Sequence, residues 1–214
     1  MTSFRVAFVP GVTPDKWARI WDERMSDVLE LRPIDESAQL EVLRLGEADM
    51  CFARLPIDRD QLHLIPLYRE VPVVVVSKEH VLSVLDEITT ADLEDEVTFS
   101  LEEITAKQAV ETVATGTGYI VVPMSVARIH HRKDVVARPL VDGEESEIGL
   151  AWLMANEDPR IEDFIGIVRG RSAQSSRGNA ETVKPKKHDA KPPAKKAAPR
   201  SAKRTGSSRQ QRRR

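Results

Sequence analysis

The feature that most constrains this chain is a strand–helix–strand–helix–strand pattern in its first 55 residues. Residues 4–9 alternate and end at Pro10-Gly11, which predicts a short strand followed by a tight turn. Residues 28–34 predict a second strand, at a sheet edge because it contains Pro33. Residues 49–55 predict a third strand with a nearly continuous apolar core, as in a strand covered on both faces. Because such crossovers are right-handed, the three strands are expected to lie in one parallel sheet.

The turn after the first strand leads into the first predicted helix. Thr13 is predicted to be its N-cap, with Pro14 at the first helical position, where the missing N–H costs nothing. Trp17, Ile20 and Trp21 follow at helical spacing and are expected to form its buried face. Free backbone N–H groups at such a helix start can bind a small anion or carboxylate. The alternative is a plain strand–helix unit with nothing bound.

The rest of the pattern continues this alternation and predicts an α/β fold. Ser37 is predicted to cap a second helix over residues 38–47, which Gly46 closes. Residues 71–77 are too rich in β-branched residues for a helix and predict a strand. The other predicted strands are residues 62–67, 97–99, 119–122, 135–140 and 148–154, and the other predicted helices are residues 89–96, 101–115, 125–131 and 158–168.

Charge is distributed very unevenly along the chain. Residues 172–214, the tail, hold 14 Lys or Arg and 2 Asp or Glu, a net charge of +12. Residues 1–171, the body, hold 18 Lys or Arg and 32 Asp or Glu, a net charge of −14. The tail has no aromatic residue and one Val as its only large aliphatic residue, which predicts disorder. Its cations are expected either to neutralise nucleic-acid phosphates without reading sequence, or to lie against the acidic body. The candidate nucleic-acid contacts are Lys184, Lys186, Lys187, Lys195, Lys196, Lys203, Arg204, Arg212, Arg213 and Arg214.

Several function classes find no support in the sequence. There is no GxSxG, P-loop or HExxH motif, and the glycines of residues 116–118 are interpreted as a helix stop. The single cysteine, Cys51, lies in an apolar run without an evident His partner and is expected to be a small buried hydrophobe. We therefore expect a protein that is not an enzyme and needs no metal or cofactor. No export signal is evident and no apolar run approaches the ~18 residues of a membrane span, which predicts a cytoplasmic protein, with nucleoid association if the tail binds DNA.

Several stretches, taken in order, resemble the effector-binding domain of LysR-type transcriptional regulators. They are FRVAFVPGVTP with KWARIW, IDESAQLEVLRLGEADMCFARLP, LHLIPLYREVPVVVVSKEHVL, ITTADL, ATGTGYIVVPMSVAR and VVARPL. The resemblance covers roughly residues 3–170 and implies a type II periplasmic-binding-protein fold, in which two crossing strands join two α/β lobes around a ligand cleft. On that basis the first lobe is residues 1–76 with 149–171, the second is residues 77–148, and the hinges lie near residues 75–78 and 147–149.

The sequence departs from the family pattern in two places. The chain begins directly at the first strand of the effector domain, so the family's N-terminal winged helix-turn-helix is not evident and operator recognition is not carried over. The stretch between Asp92 and Leu101 is shorter than the family usually has. A trimmed second lobe is therefore expected.

Candidate ligand-binding residues follow from the cleft position, at the carboxyl ends of the parallel strands. In the family, the loop that corresponds to Gly11, Val12 and Thr13 contacts the effector carboxylate. Arg54, at the end of the third predicted strand, could bind a carboxylate or could instead pair with Asp58 or Asp60. Two further candidates, Glu36 and Ser37, lie at the start of the second predicted helix. Ser37 is first of all a helix cap, and Glu36 suits a ligand with a hydrogen-bond donor or a cationic group. The candidates on the opposite wall are Thr98, Ser100, Pro123 and Met124.

Two functional hypotheses follow. The first is a non-enzymatic domain that senses a small molecule, with a carboxylate as the ligand class, and that works as a homodimer or as a heteromer with a full-length regulator through the first lobe. The second is a nucleic-acid-associated protein anchored by its basic tail, in which the acidic domain makes protein–protein contacts. A transport protein is disfavoured because no export or lipid-anchor signal is evident.

Overall fold

The computed structural model describes residues 3–101 and 104–171. The strands are β1 (Phe4–Phe8), β2 (Leu29–Pro33), β3 (Met50–Leu55), β4 (Leu62–Glu70), β5 (Pro72–Ser77), β6 (Tyr119–Pro123), β7 (Val135–Pro139) and β8 (Ser146–Leu153). The helices are α1 (Asp15–Arg24), α2 (Glu41–Arg44), α3 (Ala106–Val113), α4 (Met124–Ile129) and α5 (Arg160–Val168). The basic tail and its ten candidate nucleic-acid contacts lie outside the described residues.

A five-stranded sheet with the order β2-β1-β3-β8-β4 contains the three strands of the opening pattern. β1 pairs in parallel with β2 on one side and with β3 on the other, as predicted. β2 lies at the edge, which confirms the interpretation of Pro33. β8 returns from the far part of the chain and pairs antiparallel with β3 and β4. The first five residues of β3 are all buried because helices cover the centre of this sheet on both faces.

A second sheet has three antiparallel strands in the order β6-β5-β7. Its central strand, PVVVVS, is buried at every residue. The chain passes from the first sheet to the second at Val71 and returns between Pro139 and Ser146. We call lobe I the five-stranded sheet with α1, α2 and α5, and lobe II the three-stranded sheet with α3 and α4. The chain changes sheet at Val71, whereas the predicted boundary between the lobes lies between residues 76 and 77. The difference arises because all of β5 belongs to the second sheet.

An aromatic cluster fills lobe I between its first sheet face, α1 and α5. Phe4 and Trp21 stack with 5.1 Å between ring centroids, and Trp17 and Phe52 stack at 4.8 Å. Phe164 of α5 packs against Phe4, Trp21 and Phe52 at about 6 Å. The predicted apolar face of α1 is confirmed, since both tryptophans are buried.

The first two helices begin differently from the prediction. α1 starts at Asp15 with Pro14 as its N-cap, and the Pro14 carbonyl accepts from the N–H groups of Trp17 and Ala18. Thr13 is therefore not the cap. The second predicted helix is a 3-10 turn (Glu36–Ala38) followed by the short α2, and Ser37 lies inside that turn rather than capping it.

Two predictions in lobe II are also wrong. Residues 97–99 form an isolated bridge from Thr98 to Tyr119 rather than a strand. The helix predicted from residue 101 starts only at Ala106, because Thr105 and Gln108 form a capping box that fixes its first turn. The acidic segment 89–96 contains a 3-10 turn (Thr90–Leu93) with a similar box between Thr89 and Asp92.

Candidate functional site between the two lobes

The centre of the candidate site is Arg54, near the end of β3. Its side chain is only 6% exposed, and a buried guanidinium needs partners for its N–H groups. Nε and Nη2 donate to Oε2 of Glu70 at 3.1 and 2.9 Å. Nη2 also donates to the Pro10 carbonyl at 2.8 Å, and Nη1 forms a short ion pair with Glu36. Gln39 fixes the Arg54 backbone through two hydrogen bonds of 2.9 and 3.1 Å.

Glu70 carries this network from lobe I into lobe II. It is the last residue of β4, immediately before the chain passes into the second sheet, and its side chain is 5% exposed. One carboxylate oxygen accepts from Arg54, and the other accepts a short hydrogen bond from the Ser125 hydroxyl of α4. The chain of contacts Arg54–Glu70–Ser125 therefore links the two lobes through two buried charged groups and a half-buried hydroxyl.

Gly11 allows the lobes to come this close. Its φ is +100°, a conformation that L side chains rarely adopt. A Cβ there would overlap the Ser125 hydroxyl, lie 2.9 Å from the Ser125 Cβ and lie 3.2 Å from Nη2 of Arg54. A glycine is therefore required both by the turn and by the contact between the lobes.

While both of its carboxylates stay in place, the net charge of this cluster opposes the binding of a further anion. One guanidinium faces two carboxylates, Glu36 and Glu70, so the group carries a formal charge of −1. Burial raises the pKa of nearby Tyr68, and the charge of Glu70 raises it further, while Arg54 opposes the shift. Both partners of the Arg54–Glu70 pair have lost most of their contact with water, so each depends on the other for compensation.

The structure brings three of the sequence-predicted residues together: Gly11, Glu36 and Arg54. Among the described residues, Arg54 pairs with Glu36 and Glu70 rather than with Asp58 or Asp60. Asp58 pairs instead with Arg44 at 3.1 Å. Val12 is buried in the lobe I core, and its N–H donates to the Val9 carbonyl at 3.3 Å. Thr13 and Ser37 are exposed.

The residues predicted for the opposite wall separate into two groups. Pro123 and Met124 lie where lobe II meets lobe I: Pro123 pairs with Pro72, and the Met124 N–H donates to the Val71 carbonyl at 3.0 Å. Thr98 pairs with Tyr119, at the other end of β6. Four residues of strand place that end about 13 Å away from Pro123. Ser100 is exposed and follows Phe99, whose N–H also donates to Tyr119.

Sequence reasoning missed Glu70, Ser125 and Gln39. Glu70 had a usable signal, because it lies two residues before a strand that is apolar up to its last residue, and a charge at such a position needs a buried partner. Ser125 and Gln39 had none, since one hydroxyl or amide on a short helical segment resembles any surface residue.

Three cavities among the described residues are lined by none of Arg54, Glu70 and Ser125. Two of them, of about 280 and 270 Å³, adjoin each other between α4 and β7 and share Ala127, His131 and Ala137. The third, of about 300 Å³, is lined by Leu55, Pro56, Ile57, Arg59, Glu144, Glu145 and Glu147.

Cys51 does not provide reactive chemistry. It is fully buried in β3, and burial raises the pKa of its thiol to about 12. The thiolate is the nucleophile in cysteine chemistry, and its fraction at neutral pH is negligible here. The interpretation of Cys51 as a buried hydrophobe is confirmed.

Comparison with known proteins agrees with this architecture. Residues 28–106 match the family model described as LysR substrate binding domain. This chain has the LysR-type effector-binding fold. The matched residues include Glu36, Arg54 and Glu70, whereas Gly11 and Ser125 lie outside them.

Solved structures of LysR-type regulatory domains extend the similarity to most of the chain. A mutant of the OxyR regulatory domain from Pseudomonas aeruginosa is 21% identical, with a TM-score of 0.61, over 79% of this chain and 97% of that one. The effector binding domain of a BenM variant is 20% identical, with a TM-score of 0.67, over 82% and 97%. A hydrogen-peroxide-bound OxyR mutant from Corynebacterium glutamicum is 20% identical, with a TM-score of 0.64, over 79% and 67%. No curated protein matched the sequence significantly. Among the described residues, no helix is long and apolar enough to span a bilayer.

Proposed function

We propose that this chain is a non-enzymatic regulatory domain that senses a small molecule, with carboxylates as the ligand class. The observation that carries the proposal is the junction at Arg54, where charged groups of lobe I meet Ser125 of lobe II. The LysR family match and the relatives named as regulatory and effector-binding domains support the same role.

The proposed mechanism is a shift in the equilibrium between arrangements of the lobes. A ligand that contacts both lobes stabilises one arrangement over the other by its difference in affinity for the two. The Gly11 turn and Arg54 belong to lobe I, and Ser125 belongs to lobe II, so a ligand at this junction contacts groups whose separation changes when the lobes move.

Thermal unfolding of the full chain with a panel of carboxylates that carry apolar bodies, each paired with its neutral amide, tests this proposal. We expect at least one carboxylate to raise the Tm saturably while its amide does not, because a ligand at 100 times its Kd stabilises the native state by about 2.7 kcal/mol. Arg54→Met is expected to abolish the response, and Arg44→Met, in an exposed pair on α2, to keep it. Equal responses from Arg54→Met and the unmodified chain would contradict the proposal.

A second candidate function is supported by the charge of residues 172–214. A segment that carries a net charge of +12, in a chain whose other residues carry −14, is suited to contact nucleic-acid phosphates, and each contact releases counterions. In this role the tail anchors the protein on duplex DNA without reading its sequence.

Assembly through lobe I stays a prediction. Sedimentation of the full chain at roughly tens of micromolar would test it, because the populations of monomer and dimer depend on protein concentration.

Duplex binding in a salt series tests the tail. We expect the full chain to bind unrelated duplexes equally, and a chain that ends at Arg171 not to bind. With about six phosphate contacts, the slope of log affinity against log salt is expected to be near −5. Binding by the shorter chain, or a slope near zero, would mean that the tail is not the anchor.

A further inference from the structure

The Glu70 carboxylate binds the Arg54 guanidinium in the way that a carboxylate ligand would. Two guanidinium nitrogens hold one of its oxygens at 2.9 and 3.1 Å, and a hydroxyl from the other lobe holds the second oxygen. Both side chains are at least nine-tenths buried. The recognition elements of a carboxylate site, a buried arginine and a hydroxyl donor, are therefore present and already in use.

We propose that Glu70 is a built-in carboxylate ligand of Arg54, so that the junction is a latent carboxylate site that an external carboxylate enters only by displacing Glu70. The inference rests on the proposed function for its regulatory meaning. Its test needs only acetate, and therefore does not depend on the natural effector.

The competition strongly favours Glu70 over a simple anion. A tethered group acts at a high effective concentration and has already lost most of its freedom. The formal charge of −1 on the cluster, with Glu36 also paired to Arg54, opposes the approach of a second anion. An external carboxylate therefore needs further contacts from the rest of its molecule in order to displace Glu70.

Displacement would also release the link between the lobes. When Glu70 leaves Arg54, its hydrogen bond with Ser125 is lost or rearranged, because both contacts use the same carboxylate. The exchange of one carboxylate for another at Arg54 thus changes a contact that spans lobe I and lobe II. Ligand binding at the junction would in this way change the arrangement of the two lobes.

Glu70→Ala in the full chain tests the proposal by chemical rescue. The substitution removes the side-chain atoms beyond Cβ, which is the set of carbon and oxygen atoms that acetate contains. We expect E70A to have a lowered Tm in sodium chloride, and sodium acetate at the same ionic strength to raise it saturably by several degrees. The unmodified chain is expected to show no difference between the two salts.

Three controls separate this rescue from a general salt effect. E70Q fills the space without the charge and is expected to gain nothing from acetate. The double variant E70A with R54M removes the cation and is also expected to gain nothing. Glu145→Ala removes an exposed partner of Arg69 elsewhere on the surface, and should behave like the unmodified chain.

Each outcome decides the proposal. Equal responses of E70A and the unmodified chain to acetate, or a rescue that persists in the double variant, would overturn it. If E70A does not fold in chloride, its refolding yield is compared in acetate and in chloride, and failure to recover in acetate would also overturn it. None of these results depends on the carboxylate panel, so the failure of this proposal and the failure of the proposed function are distinguishable.

Discussion

Arg54→Met is expected to lower the free energy of unfolding by about 3–5 kcal/mol, the usual cost of breaking a buried ion pair from one side. The substitution keeps an apolar side chain of similar length but leaves the Glu70 carboxylate buried without its cation. It also leaves the Pro10 carbonyl without its donor at 2.8 Å. Urea unfolding followed by far-UV circular dichroism measures the loss.

Two comparison variants make this prediction specific. Arg44→Met breaks the ion pair between Arg44 and Asp58, in which the two side chains are 50% and 65% exposed. We expect it to lower the free energy of unfolding by less than about 1 kcal/mol. Combining Arg54→Met with Glu70→Leu removes both buried charges and is expected to be milder than Arg54→Met alone. A loss from Arg54→Met no larger than that from Arg44→Met would show that the pair does not hold the junction.

Trp21→Ala is expected to cost about 3–5 kcal/mol, in the range for deleting a large aromatic side chain from a core. Trp21 is fully buried, stacks on Phe4 at 5.1 Å and packs against Phe164. Its Nε1 also donates to the Asp27 carbonyl at 2.7 Å, which fixes the chain between α1 and β2. The cavity left by this truncation would therefore lie where the five-stranded sheet, α1 and α5 meet.

The same urea measurement checks this second prediction, since far-UV circular dichroism reports mainly on the backbone and the signal does not rely on tryptophan fluorescence. Val28→Ala is the matched control: Val28 is 68% exposed next to β2, so its truncation should change stability by no more than about 0.5 kcal/mol. A loss below about 1.5 kcal/mol for Trp21→Ala would mean that the aromatic cluster relaxes around the gap.

Lobe I could be predicted from the sequence because its signals are local. The apolar runs of β1 and β3, and the turn residues between them, specify strands and parallel order without any long-range information. The second predicted helix failed because Gln39 binds the backbone of Arg54 in β3, so a tertiary contact interrupts a pattern that favours a helix by itself.

The partner of Arg54 could not be predicted in the same way. Asp58 is only four residues away, whereas Glu70 is 16 residues away along the chain and Ser125 a further 55. Sequence proximity therefore favoured the wrong carboxylate. The choice depends on the antiparallel return of β8 between β3 and β4, which brings the ends of these two strands to the same junction.

The strands at the margins of both sheets bear on the tendency of the protein to form fibrils. β2 and β4 flank the larger sheet and β6 and β7 the smaller one, and each of these four strands contains a proline. Proline has no N–H to offer an incoming strand, and the pairing of β4 is also irregular between Pro66 and Tyr68. Open margins of this kind are poor templates for strand addition by another molecule. We therefore expect these edge strands to pair with other molecules less readily than edge strands without proline.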